Sequence, residues 1–331
     1  MIDEAITLEQ APSFDVVGCM LHGGTLGAGT PVELRETHGS WVFLTADRAY
    51  KVRKPVVLPF LDYGTLERRH QMCRAELALN RRLAPDTYLA VRALVPNGDG
   101  LALVDEYTPG AVEYAVEMRR FSEEETLAAR LARGEVAAAD MIAVGEHLAR
   151  FHAGCPVVPG AAGAEAVKRT VDDTFASLMT LLRGGVAARA GVVAAERFSD
   201  AFLGAHWEAL DARAAAGAIR DGHGDLRAEH VVLDRGLEIV DAIEFDPGLR
   251  RIDVGLDLAF LVMDLLRAGE PDHARTLVEA YRRAGGDPGD DGLIAFFAAY
   301  RAQVRAKVAL LRAAQLGNAS AAGLAARGQA R

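Results

Sequence analysis

Half of the 331 residues are hydrophobic, a quarter are charged and the formal net charge is −9. That allows well-filled cores, and it argues against nucleic acid as a general partner, because phosphate backbones are bound by positive surfaces. Cys19, Cys73 and Cys155 are odd in number, widely spaced and form no CxxC pair, so neither a disulfide framework nor a zinc site is expected and a reducing cytoplasm fits best.

The start, Met1 to Gln10, is acidic and lacks the basic and apolar regions of a signal peptide, and charges interrupt every apolar run before it reaches spanning length. No membrane association is expected. Trp41 to Thr45 and Arg48 to Val52 are rich in aromatic and β-branched residues around the turn-prone Ala46-Asp47, a hairpin pattern. Two prolines make Lys54 to Tyr63 an extended loop. A helix is predicted from Thr65, as N-cap, to about Leu83, before Ala84-Pro85. Tyr88 to Val95 and Leu101 to Val104 flank the turn Pro96-Asn97-Gly98-Asp99-Gly100, and Tyr114 to Met118 reads as the last strand of this layer.

Beyond Ser122 the apolar spacing becomes helical, over Glu123 to Arg133 and Ala139 to His152. After the Gly/Ala/Pro-rich stretch Gly154 to Gly163 come a short β-like pair, Val231 to Leu233 and Glu238 to Val240, and helices over Leu256 to Arg267, His273 to Ala284 and Leu293 to about Leu316. Trp207, Phe296 and Phe297 are expected in the core, and residues 317–331 as a frayed tail. The fold class is α+β: a β-rich lobe with one helix over 1–117, then a mostly helical lobe over 118–331.

Within His223-Gly224-Asp225-Leu226-Arg227-Ala228-Glu229-His230, Asp225 precedes His230 by five positions, then a hairpin, then Asp241 at the end of an apolar strand. This order matches kinases, in which a catalytic-loop Asp accepts the acceptor hydroxyl's proton and a later Asp holds magnesium. The His-Gly-Asp-Leu wording resembles the aminoglycoside phosphotransferase-like small-molecule kinases, as does the run Arg250 to Ala259. Tyr50 to Val56, Leu77 to Pro85 and Asp241 to Phe245 resemble a bacterial subgroup often fused to a P-loop ATPase or kinase domain. No GxxxxGK[ST] stretch occurs in this sequence, and the resemblance then implies a separate P-loop partner protein.

The resemblance, over roughly residues 30 to 310, implies a protein-kinase-like two-lobed fold and an ATP- and Mg²⁺-dependent transfer to a hydroxyl of a small polar metabolite, a sugar or amino sugar first and an aminoglycoside second. Asp225 would orient or deprotonate the hydroxyl, and Arg227 would neutralise the transferred group. Asp241 would bridge magnesium to the phosphates. The family usually has Asn where this chain has His230, and imidazole is a poor magnesium ligand. His230 would then bond Asp225, act through water or prefer a softer ion, while Glu244 supplies an oxygen.

Lys51 would reach the nucleotide phosphates, with Ala49 on the same strand face leaving room for adenine. Its partner would be Glu76, on a helix face with Met72, Leu79 and Leu83, or else Glu67. The loop Glu36 to Ser40 would cover the nucleotide, with Thr37 and Ser40 hydroxyls on phosphate, and Glu117-Met118-Arg119 would be the adenine hinge. From another class, His230 leaves open a nucleotide-binding regulatory pseudokinase. A protein-substrate kinase is disfavoured, because no DFG or APE sequence follows.

Overall fold

The computed structural model describes residues 14–22, 24–37, 39–58, 61–160, 163–182 and 185–315. In chain order they form α1 (Val16–His22), β1 (Glu33–Glu36), β2 (Ser40–Leu44), β3 (Arg48–Arg53), β4 (Val57–Leu58), β5 (Leu61–Asp62), α2 (Leu66–Asn80), β6 (Tyr88–Asn97), β7 (Gly100–Asp105) and β8 (Glu113–Arg119). There follow α3 (Leu127–Ala132), α4 (Ala138–Gly154), α5 (Ala164–Leu181), α6 (Val186–Ala215), β9 (Ile219–Asp221), β10 (Val231–Val232), β11 (Glu238–Ile239), α7 (Pro247–Arg250), β12 (Arg251–Asp253), α8 (Val254–Arg267), α9 (Pro271–Arg283) and α10 (Asp291–Gln315). The expected tail 317–331 lies outside the described residues.

The chain divides into two compact units. The first holds residues 1–135 and 229–247, the second 136–228 and 248–331. The first unit thus reaches past residue 117 and takes in the β10–β11 hairpin.

In the first unit, β1-β2-β3-β8-β6-β7 form an antiparallel sheet in that order. The β2–β3 turn closes where Thr45 N–H donates to Arg48 O at 2.9 Å and Thr45 Oγ1 accepts Arg48 N–H at 3.1 Å. Strand alternation divides the side chains between two faces. Phe43, Val52, Leu94, Leu101 and Ala115 pack with Val16 and Met20 of α1. Leu44, Ala49, Val91, Val116 and Met118 pack with Cys73 of α2 and with Val232 and Val240 of the hairpin segment.

Helix α1 is not expected from the sequence. Its seven residues are too few to show a period, and Asp15 supports the start by accepting Gly18 N–H at 2.9 Å. Helix α2 begins as predicted, with Thr65 Oγ1 accepting Arg68 N–H at 3.3 Å. Its buried stripe is Arg69, Cys73, Glu76 and Asn80. Those polar groups are paired: Arg69 Nε donates to both Glu113 oxygens, at 3.0 and 2.8 Å, and Nη1 to Tyr63 O at 3.0 Å.

Glu238 ties the β10–β11 hairpin to this unit. Its carboxylate accepts the N–H groups of Asp86 and Thr87 at 2.9 and 3.1 Å, the Thr87 hydroxyl at 2.6 Å and Arg119 Nη2 at 3.0 Å.

The second unit is helical apart from the short β9–β12 ladder. Helix α8 is apolar nearly all round and buried, with α9 and α10 packed on it. Helices α4 and α9 approach closely at Gly145, where a Cβ would meet Leu277 O at 2.6 Å. Phe296 and Phe297 are buried as expected; Trp207, on α6, is 39% exposed.

Candidate active site

Strand alternation places Ala49, Lys51 and Arg53 on one face of β3. Lys51 Nζ lies 2.8 Å from Glu76 Oε1 and 3.2 Å from Asp241 Oδ1. Burial works against its charge, yet Asp241 and Glu76 hold the ammonium well above the ordinary lysine range. The other Glu76 oxygen pairs with Arg53 Nη2, which also lies 2.6 Å from Glu244 Oε1. The Arg53 guanidinium sits 5.1 Å from the Tyr63 ring centroid, and Tyr63 O–H donates to Glu244 at 3.2 Å. Two cations and three carboxylates thus form one network in the first unit. Glu67, the rival partner for Lys51, is exposed.

Asp241 has φ 65°, alone among described non-glycine residues in the left-handed region. Such backbone needs support. Asp241 N–H donates to Tyr88 Oη at 3.3 Å and Ala242 N–H to Asn80 Oδ1 at 2.8 Å, while Asn80 Nδ2 donates to Glu76 O at 2.9 Å. The helix that carries Glu76 therefore also fixes the loop that carries Asp241. Arg53, Asn80, Tyr63 and Tyr88 have no assigned role in the sequence reading. Only Arg53 had a readable signal, two residues past Lys51 on the same strand face.

Asp241 is half exposed, and His230 Nε2 lies 3.7 Å from its Oδ2. Among the described residues no group of three His, Cys, Asp or Glu side chains is gathered to hold a metal. One carboxylate nevertheless suits magnesium, which commonly takes one or two and fills its octahedron with water and substrate phosphate. Asp241 fits that use. Glu244, expected as a further ligand, is instead buried and engaged by Arg53 and Tyr63. His230, in the 228–230 turn, offers nitrogen to an ion that prefers oxygen.

The expected nucleotide loop is closed on itself. Thr37 N–H donates to Ser40 O at 2.9 Å and Thr37 Oγ1 accepts Ser40 N–H at 3.1 Å, while the buried Ser40 hydroxyl accepts Arg53 Nη1 at 3.2 Å. Both expected phosphate-binding hydroxyls thus serve the turn and Arg53; His38 lies outside the described residues. Glu117 and Met118 lie inside β8, paired with β3 on one side and β6 on the other. The β6 register slips between Tyr88 and Ala90, opposite these two residues. Glu117's carboxylate meets Arg92 at 2.6 Å and Arg48 at 3.4 Å.

In the second unit Asp257, on α8, organises the loop of Asp225. Its Oδ2 accepts His223 N–H at 2.7 Å and lies 3.3 Å from His152 Nε2; its Oδ1 accepts Gly224 N–H at 3.0 Å. Burial opposes the charge, but these donors hold the carboxyl well below the usual range. His152 Nδ1 is 2.8 Å from the Tyr281 hydroxyl, which completes a buried chain. A Cβ at Gly222 would come 2.4 Å from Asp257 Oδ2, and Gly224 has φ 89°. Only glycine lets the backbone wrap the carboxylate here. His223 is fully buried and its Nδ1 accepts Asp225 N–H at 3.2 Å, so its role is structural. Asp225 stays partly exposed, with Arg227 Nη1 at 3.8 Å. Asp257 was one of several acidic residues that sequence alone did not separate.

The chain has the two-unit, α+β, protein-kinase-like fold of a choline/ethanolamine kinase family protein from Mesorhizobium loti: the TM-score is 0.50, with 15% identity, over 91% of this chain and 86% of that one. An aminoglycoside phosphotransferase from Streptomyces rimosus gives 0.48 and 17%, over 87% of this chain and 97% of that one. No family model matches the sequence. The uncharacterized proteins Rv2004c of Mycobacterium tuberculosis and Mb2027c of Mycobacterium bovis are each 35% identical over 294 residues, 86% of this chain and 56% of theirs. The chain thus spans little more than half the length of these curated relatives. No helix among the described residues is long and apolar enough to cross a membrane.

Proposed function

We propose that the protein is an ATP- and magnesium-dependent phosphotransferase acting on a hydroxyl of a small polar metabolite, a sugar being the first choice. The observation that carries the reading is Lys51 held between Glu76 at 2.8 Å and Asp241 at 3.2 Å. A strand lysine paired with a helix glutamate, beside a loop aspartate, is the arrangement that grips nucleotide phosphates in kinases.

In this reading Asp225 accepts the proton of the acceptor hydroxyl. The hydroxyl oxygen bonds to the γ-phosphorus as the bond from that phosphorus to the β–γ bridging oxygen breaks, and ADP leaves. Asp241 would hold the magnesium, whose charge offsets that on the phosphates. Lys51 orients the phosphates and Arg227 offsets charge on the transferred group. The buried Asp257 bonds keep the Asp225 loop in one conformation, the preorganisation that such catalysis relies on.

A second reading, a nucleotide-binding regulator without turnover, is favoured by one feature: an imidazole, not an oxygen donor, stands 3.7 Å from Asp241. Titration with ATP and magnesium, followed by phosphorylation of a metabolite panel, separates the two. Turnover that is lost in Asp225→Asn supports the enzyme; nucleotide binding with no turnover of any acceptor supports the regulator.

A further inference from the structure

The second unit buries a cation that the phosphotransfer chemistry does not use. Arg301, on α10, is 7% exposed. Its Nε donates to Leu256 O at 3.2 Å and its guanidinium lies 4.5 Å from the Phe260 ring centroid, but Nη2 is buried without a hydrogen-bond partner. Burying part of a charge unsatisfied is unfavourable unless a partner arrives in the working state.

Its position says what that partner is. Leu256 and Phe260 flank Asp257 on α8, so Arg301 and the His223–Asp225 loop are anchored to the same turns of one helix. Asp257 is a poor counter-ion, because its oxygens already receive His223, Gly224 and His152. Among the described residues the other carboxylate in its electrostatic reach is that of Asp225, which has a second guanidinium, Arg227, at 3.8 Å. Arg227 and Arg301 thus both act on Asp225, while the Asp257 charge is already engaged by its own donors. A carboxylate matches the planar fork of an arginine, whereas a substrate ammonium is itself only a donor and cannot satisfy it.

We infer that Arg301 recognises an anionic group of the acceptor, and that the acceptor is a hydroxy acid rather than a neutral sugar or an amine. The inference rests on the kinase reading for its meaning as an acceptor subsite, and it narrows that reading to sugar acids and related compounds.

The test is equilibrium binding, by calorimetry, of D-glycerate and D-gluconate to the full chain, each against its uncharged counterpart, glycerol or D-glucitol. At least one acid should bind about tenfold or more tightly than its polyol, and Arg301→Gln should abolish that margin, with Arg301→Lys keeping part of it. Should Arg301→Gln fail to fold, the wild-type comparison and Arg301→Lys still decide. Equal binding of acids and polyols, or a margin that persists in a folded Arg301→Gln, overturns the proposal. Phosphorylation of the same compounds separates the two levels. An acid bound through Arg301 but never phosphorylated keeps the anion subsite and sinks the kinase reading. Polyols phosphorylated as well as the acids keep the kinase reading and sink the subsite.

Discussion

Asp257 holds the backbone of His223: the carboxylate on α8 accepts that N–H at 2.7 Å from 34 residues away and accepts the next one, of Gly224, at 3.0 Å. The loop that carries Asp225 is thereby positioned by a buried charge. Because the Asp257 carboxyl is held below its ordinary range, the stability it contributes is fully present above the unfolded value of about 4 and is lost as pH falls below it. Thermal melts between about pH 3 and pH 7 should show this acid limb in the wild type and a shallower one in Asp257→Asn. At neutral pH the variant should lose on the order of 3 kcal/mol, since an amide cannot accept at both oxygen positions. An unchanged acid limb would contradict this role.

Glu76 serves two cations, and replacing it should be worse than removing either one. Glu76→Gln leaves Lys51 and Arg53 buried with half their compensation and should cost about 3–5 kcal/mol in urea unfolding. Lys51→Met removes a charge along with its partner contact and leaves Glu76 paired with Arg53, so its loss should be smaller. The reverse order would show that the network is not organised around Glu76.

Asn80 joins the end of α2 to the Asp241 loop by accepting Ala242 N–H at 2.8 Å. Asn80→Ala should cost about 1–3 kcal/mol through the orphaned amide. Loosening of Asp241 should also raise the magnesium concentration for half-maximal nucleotide binding by about tenfold, a 1.4 kcal/mol effect. Stability loss with an unchanged magnesium requirement would confine Asn80 to packing.

The sequence reads well where a period or a motif repeats a local rule. The β2–β3 hairpin, the Thr65 cap and the Lys51–Glu76 pair all depend on near neighbours or on chain order. The apolar spacing puts Glu76 on a face with Met72, Leu79 and Leu83, yet the buried stripe is Arg69, Cys73, Glu76 and Asn80. An apolar pattern does not reveal a helix face buried through polar pairs. Glu244 and Ser40 were expected to meet ligand groups and meet Arg53 instead, a contact that no spacing encodes because it forms through tertiary packing. Asp257 looks like any other acidic residue on a helix until the backbone of Gly222 to Gly224 is folded around it.

Asp225 is proposed to serve phosphoryl transfer to a small hydroxyl acceptor. The most direct measurement is ATP-dependent phosphorylation of a panel of hydroxy acids, sugars and amino sugars by the wild type and by Asp225→Asn. Transfer to at least one hydroxy acid is expected, with a fall in kcat of about 100-fold or more in Asp225→Asn, the lower range for losing a general base. Transfer at equal rates by both proteins, or none to any acceptor by a folded wild type that binds ATP, would contradict it.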